Sequence, residues 1–206
     1  MRRTIQIIYK CLWMLSFTIQ GWFTDHLFRL LLWLNNINFG KNVHSGGGVA
    51  RICVSKDARS VSIGNNVSFN AFDAVSWYSR CCIVVRPKAV LEIGDNSGFN
   101  GSLIYAANSI KIGCNVKIGG GTRIMDSDFH PLDYIARRNS FEGMKTSPIT
   151  IEDDVFVGTN CIIGKGVHIG ACSIIAAGSV VVKDVPADEI WGGNPAKFIR
   201  KINQYE

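Results

Sequence analysis

Aliphatic side chains return at every sixth position through much of this chain. The clearest run is Ile151, Val157, Ile163, Ile169, Ile175 and Val181, and the same step joins Ile112, Ile118 and Ile124. Four positions after each member of the first run stand Val155, Cys161, Val167, Ser173, Ser179 and Val185. Six is not a helical period, and β-branched residues fill the marked slots, so the pattern predicts short strands. Strand alternation turns the two marked residues of each hexad the same way. The Gly, Asn and Asp positions between them let the backbone corner through positive φ. Five segments align on this frame without gaps: Ser60-Val-Ser-Ile-Gly-Asn-Asn-Val, Val90-Leu-Glu-Ile-Gly-Asp-Asn-Ser, Ser109-Ile-Lys-Ile-Gly-Cys-Asn-Val, Pro148-Ile-Thr-Ile-Glu-Asp-Asp-Val and Gly166-Val-His-Ile-Gly-Ala-Cys-Ser. A strand and a corner, repeated, wind a parallel coil that cannot bury its own interior, so neighbouring coils must stack into continuous aliphatic ladders. Three hexads, eighteen residues, make one turn from Ile151 to Ile169. Ile93 and Ile112 stand nineteen apart, which predicts one extra corner residue, and larger insertions are expected near residues 72–86 and 126–148.

The first forty residues follow another pattern. Tyr9, Trp13 and Phe17 recur at a spacing of four, which places them on one helical face. Gly21 interrupts the run, and a second apolar stretch, Trp22 to Leu34, puts Phe23, Leu27, Leu30, Leu31 and Leu34 on one side before Asn35-Asn36 stops it. The uncharged stretch between Lys10 and Asp25 is fourteen residues. As a helix that is about 21 Å, short of a hydrocarbon core of about 30 Å. Three readings stay open: helices that cap the body, an interfacial membrane anchor, and a cleaved or spanning segment.

Charge adds an asymmetry. Of a net +6, the excess lies wholly in residues 1–60, with eight Lys/Arg against two Asp/Glu, while residues 61–206 carry fourteen of each. A balanced body argues against a nucleic-acid groove, and a basic N-terminal face suits an anionic surface. Seven scattered cysteines, an odd number without a Cys-x-x-Cys pair, read as thiols in a reducing compartment. The 206 residues therefore divide into an apolar, basic helical segment over 1–40, a parallel coil over 41–185 and a capping segment over 186–206.

The tandem Ile/Val-Gly-x-x-Val-x motif over about residues 50–185 resembles the hexapeptide-repeat acyltransferases. The resemblance implies an all-β solenoid, the left-handed parallel β-helix, with active sites between neighbouring subunits of a homotrimer. The insertion Met125-Asp-Ser-Asp-Phe-His-Pro-Leu-Asp133 carries His130, followed by Arg137, Arg138-Asn139 and Pro148-Ile-Thr-Ile. Taken alone, His130 is either a solvated loop residue or a proton acceptor. The run is similar to the acceptor loop of sugar O-acetyltransferases, including the maltose, galactoside, capsule and O-antigen enzymes. That resemblance implies His130 as the catalytic base and Asn100, in Phe99-Asn-Gly, as an acceptor-side residue. Asn100 can equally be a corner at positive φ, and Asp128 can meet substrate, orient His130 or serve a turn.

The donor that the resemblance implies is acetyl-CoA. Its pantetheine arm would pass Gly158, Thr159 and Ala177, with Lys183 near the nucleotide and Lys197, Arg200 and Lys201 beside the phosphates; the last three can also be a solvated basic end. The matching Gly192-Gly-Asn-Pro-Ala-Lys197 predicts a short C-terminal helix begun at Pro195. The acidic sugar-binding residue of the galactoside and maltose enzymes is replaced by Ala106 and Ala107. The function expected is acetyl transfer to a sugar hydroxyl in surface-polysaccharide biosynthesis, in the cytoplasm or at the inner face of a membrane. Transfer to an amine and a non-catalytic interaction module stay as alternatives. No metal is expected, because a zinc site needs three converging imidazoles and the four His are scattered.

Overall fold

A computed structural model describes residues 2–71 and 80–202. The chain starts with a helix, α1 (Arg2–Leu34), then forms β1 (Asn38–Phe39) and β2 (Arg51–Val54). Full coils follow, each visiting three sides in turn. The first has β3 (Ser60–Ile63), β4 (Ser68–Asn70) and β5 (Cys82–Val85); the second has β6 (Val90–Ile93), β7 (Gly98–Asn100) and β8 (Leu103–Ala106). The third has β9 (Ser109–Ile112), β10 (Lys117–Ile118) and β11 (Arg123–Met125), after which the chain leaves the stack for the six-residue α2 (Tyr134–Asn139). It returns as β12 (Ile149–Ile151), β13 (Phe156–Val157) and β14 (Ile162–Ile163), and then β15 (His168–Ile169), β16 (Ile174–Ile175) and β17 (Val180–Val181). The end is β18 (Glu189–Gly192) and β19 (Lys197–Lys201).

Pairing turns the coils into three parallel sheets. The first side runs β1-β3-β6-β9-β12-β15, the second β4-β7-β10-β13-β16-β18 and the third β2-β5-β8-β11-β14-β17. The aliphatic ladders are buried as the period requires: Ile151, Val157, Ile163, Ile169, Ile175 and Val181 are at most 1% exposed. The corners divide their labour between residue types. Asn66, Asn96, Asn115, Asp154 and Cys172 hold the positive φ, whereas Gly94 is needed because a Cβ there would lie 2.5 Å from the Gly113 backbone. Stacking distance, and not turn conformation, thus demands that glycine.

Three expectations are corrected. Gly21 does not break the helix: α1 runs through it, and the turns beyond it are fixed by Phe28 and Leu32 on the end of the core. The insertion expected over 72–86 is in part regular strand, because β5 pairs with β2 and β8; residues 72–79 lie outside the described residues. The C-terminal helix is a hairpin. Gly193 at φ 101 turns the chain, and the Lys197-Phe-Ile-Arg-Lys run pairs antiparallel with β18, with Phe198 and Ile199 supplying strand-favouring side chains.

The C-terminal half of α1 caps the stack. Phe28 and Leu32 are fully buried, and Phe28 meets Phe69, which stacks on Phe99 at 5.1 Å between ring centres. Asp25 accepts the Ser45 and Gly46 N–H groups, and Arg29 Nε donates to the Val43 carbonyl. The rest of the helix carries exposed Leu12, Leu15, Ile19, Trp22 and Phe23. The Trp13 and Phe17 side chains lie outside the described residues. No helix among the described residues is long and apolar enough to cross a membrane.

Candidate active site

The loop that bears His130 leaves the corner between the third and first sides, directly after β11. Its root is Asp126, fully buried, whose carboxylate accepts N–H bonds from Ala107 at 2.7 Å and Asn108 at 2.8 Å. Burial pushes this carboxyl above its ordinary value, against the pull of those donors. The two loop strands are clipped together above the root. Ser147 N–H donates to Asp126, Asp128 N–H to Lys145, and Ser127 bridges Thr146. Asp128 also pairs with Lys165 at 3.2 Å, so its carboxylate ties the loop to the next coil and is not bonded to His130.

The backbone turns sharply at Phe129, φ 63, whose ring packs on Tyr105 at 4.6 Å. His130 follows, exposed, with its imidazole against the Phe141 ring at 5.4 Å. Pro131 is buried beside it, Asp133 caps α2 by accepting the Ala136 N–H, and Arg137 donates to the Pro131 and Leu132 carbonyls. An imidazole set against one aromatic ring, with neither nitrogen hydrogen-bonded among the described residues, is able to accept a proton from a bound alcohol.

The remaining candidates occupy another corner. Asn100 ends β7 at the turn from the second to the third side; the positive φ falls on Gly101, not on Asn100. Its Oδ1 accepts from Asn70 Nδ2 at 2.7 Å. Gly158, Thr159 and Ala177 stack on the same corner farther along the axis. Gly158 is buried beneath Ala177, whose backbone nitrogen would stand 2.6 Å from any added Cβ, while Thr159 is half-buried and Ala177 exposed. Lys183, just after β17, lies on the His130 corner, and Lys197 and Arg200 are exposed on the terminal hairpin.

One chain therefore separates its candidates. Asp128, His130 and Lys183 share one corner, and Asn100, Gly158, Thr159 and Ala177 share the next, with the third side between them. Sequence reasoning passed over the residues that set the loop, Asp126, Phe129 and Phe141. Asp126 carries only a weak signal, an acidic residue directly after the Ile124 ladder position; the two aromatic contacts carry none. Among the described residues no group of His, Cys, Asp and Glu side chains could hold a metal.

Comparison with known proteins places the repeat. A family model described as the hexapeptide repeat of succinyl-transferase matches residues 148–183. A Schizosaccharomyces pombe protein provisionally named an acetyltransferase is 45% identical over 126 residues, 57% of this chain and 59% of its own length. The galactoside O-acetyltransferase of Escherichia coli is 36% identical over 114 residues, 55% of each chain. The chain thus spans a little over half the length of these curated relatives. The crystal structure of a hexapeptide-repeat-containing acetyltransferase from Vibrio cholerae superposes with a TM-score of 0.53 at 31% identity, covering 84% of this chain and 79% of that one. A second structure of that protein, at TM-score 0.56 and 29% identity over 87% and 79% of the two chains, is a complex with acetyl-CoA.

Proposed function

The chain belongs to the hexapeptide-repeat acetyltransferase family, and on that premise we propose that it is an acetyl-CoA-dependent O-acetyltransferase acting on a sugar hydroxyl. The observation that carries this reading is His130, presented free on a loop whose root is a buried, doubly bonded carboxylate. In the reaction, His130 takes the proton of the acceptor hydroxyl as its oxygen attacks the thioester carbonyl. Backbone N–H groups stabilise the oxyanion that develops, and the proton passes to the departing thiolate, leaving an O-acetyl ester and free CoA. No covalent enzyme intermediate is required.

The division of candidates between two corners favours an oligomer. If copies meet as a trimer, the loop corner of one can face the Asn100–Ala177 corner of its neighbour, which unites base, acceptor contact and donor slot. Left-handed winding belongs to this reading. So do a role in building a surface polysaccharide and placement in the cytoplasm against an inner membrane, where the exposed apolar face of α1 would rest.

The test is His130→Ala. Turnover of acetyl-CoA with a panel of nucleotide sugars and oligosaccharides is expected to fall at least a hundredfold, with the thermal melt and acetyl-CoA affinity unchanged. Full residual activity would remove His130 from the mechanism. Acetyl-CoA that fails to bind wild-type protein would remove the enzymatic reading altogether.

A further inference from the structure

The outward row that opens the third side changes character along the axis. It runs Arg51, Cys82, Leu103, Arg123, Ile162 and Val180, each the first residue of its strand and each in register with the next. The last two are apolar. The first four line a pocket of about 270 Å³, together with Arg80, Ser102 and two glycines. That pocket lies where one corner is short: Phe99 and Ile104 are five residues apart, and their register partners Ile118 and Ile124 are six. Gly101, at φ 51, and Gly121, at φ 72, take the turns without side chains, so the wall recedes and leaves room between the guanidinium groups.

Three arginines line the pocket, and among the described residues no Asp or Glu does. Among the described residues neither Arg51 nor Arg123 is ion-paired. Arg51 and Arg123 are three ladder steps apart, about 14 Å at the backbone, and both line the one pocket, with Cys82 and Leu103 between them in the row. A single carboxylate satisfies one guanidinium fork, whereas an elongated anion with several oxygens satisfies more than one.

We infer that this pocket binds a phosphate-bearing anion, and that the anion is the diphosphate of an activated acceptor sugar. The anion site stands on the arginine row alone; calling its ligand the acceptor rests on the acetyltransferase reading. The pocket includes Gly101, next to Asn100, and lies on the same corner as Gly158, Thr159 and Ala177, toward the N-terminal end. In that reading the donor's phosphates go to Lys197 and Arg200 at the opposite end of the stack, and the arginine row is left to the second substrate.

The probes are inorganic pyrophosphate, a uridine diphosphate sugar and coenzyme A, titrated calorimetrically into the full chain. Pyrophosphate and the nucleotide sugar are expected to bind wild-type protein, more weakly as salt rises, and at least tenfold more weakly to Arg51→Gln/Arg123→Gln. Each single exchange should lose part of that affinity, so the result does not depend on the double variant folding. Lys111→Gln, on the first side and paired with Glu92, removes the same charge elsewhere and should bind within twofold of wild type. Coenzyme A affinity should not change in any of these variants. Pyrophosphate that fails to bind, or binds the double variant as well as wild type, would overturn the site. A parallel loss of coenzyme A affinity would assign the phosphate to the donor and overturn the acceptor. Unchanged acetyl-CoA binding beside a failed pyrophosphate titration would leave the enzymatic reading intact.

Discussion

Asp126 anchors the root of the loop that carries the candidate base His130 without touching it. It is buried where the loop leaves the stack, and its two oxygens receive the consecutive N–H groups of Ala107 and Asn108 from the neighbouring coil. Asn at this position turns one acceptor into a donor that faces an N–H. Asp126→Asn is therefore expected to cost about 1–3 kcal/mol in urea unfolding and to lower turnover more than tenfold by loosening the loop. An unchanged rate would show that the loop is held without it. Acid acts on other carboxylates with the opposite sign. Glu152, which accepts the Ala171 N–H and then bonds His168, and Asp95, which accepts from Asn65, both have lowered pKa values. Their contribution is present above their ordinary values of 4.5 and 3.8 and is lost as pH falls through the lower folded values. Asp126, held above 3.8, contributes most below that pH and less as pH rises through its folded value. The melting temperature should thus fall with acid below about pH 4, and less steeply in Glu152→Gln. Equal slopes from pH 3 to 6 would discard the Glu152 linkage.

At the level of elements, α1 has two different halves. Phe28 and Leu32 seal the end of the core, so this half behaves as one more layer of the stack. Toward the N-terminus, Leu12, Leu15, Ile19, Trp22 and Phe23 face solvent, and eight basic residues against two acidic ones accompany them over residues 1–60. Such a surface suits a shallow site at an anionic bilayer. Leu15→Glu/Ile19→Glu should reduce co-sedimentation with vesicles containing anionic lipid severalfold, without moving the thermal melt. Undiminished sedimentation would leave α1 as a cap alone. The loop is the other element with two roles: Asp128, expected beside substrate or His130, spends its carboxylate on Lys165 and so fixes the loop to the next coil.

For the whole molecule, the decisive fact is that candidate base and candidate binding residues lie on different corners of one chain. An assembly that completes each site from two copies makes a specific prediction. His130→Ala and Ala177→Trp, each inactive alone, should recover activity when denatured together and refolded, because some interfaces then join two intact halves. In a random trimer about a quarter of the sites are intact. No recovery would place the whole site within one chain.

The period of six was sufficient by itself to determine the stacked coil and its buried ladders from Ile112 to Val181, because each coil's interior depends only on its own repeat and the coils beside it. Features that depend on residues far apart in the chain were decided by the tertiary structure. Gly21 reads as a break, yet α1 continues through it, with its following turns packed on the end of the core. Pro195 reads as a helix start, yet an open edge on β18 recruits Lys197–Lys201 as a strand. The arginine row joins positions 51, 80 and 123, which no local window brings together. Corner lengths decide which outward side chains fall into register, and the pocket lies where Phe99 and Ile104 stand one residue closer than Ile118 and Ile124.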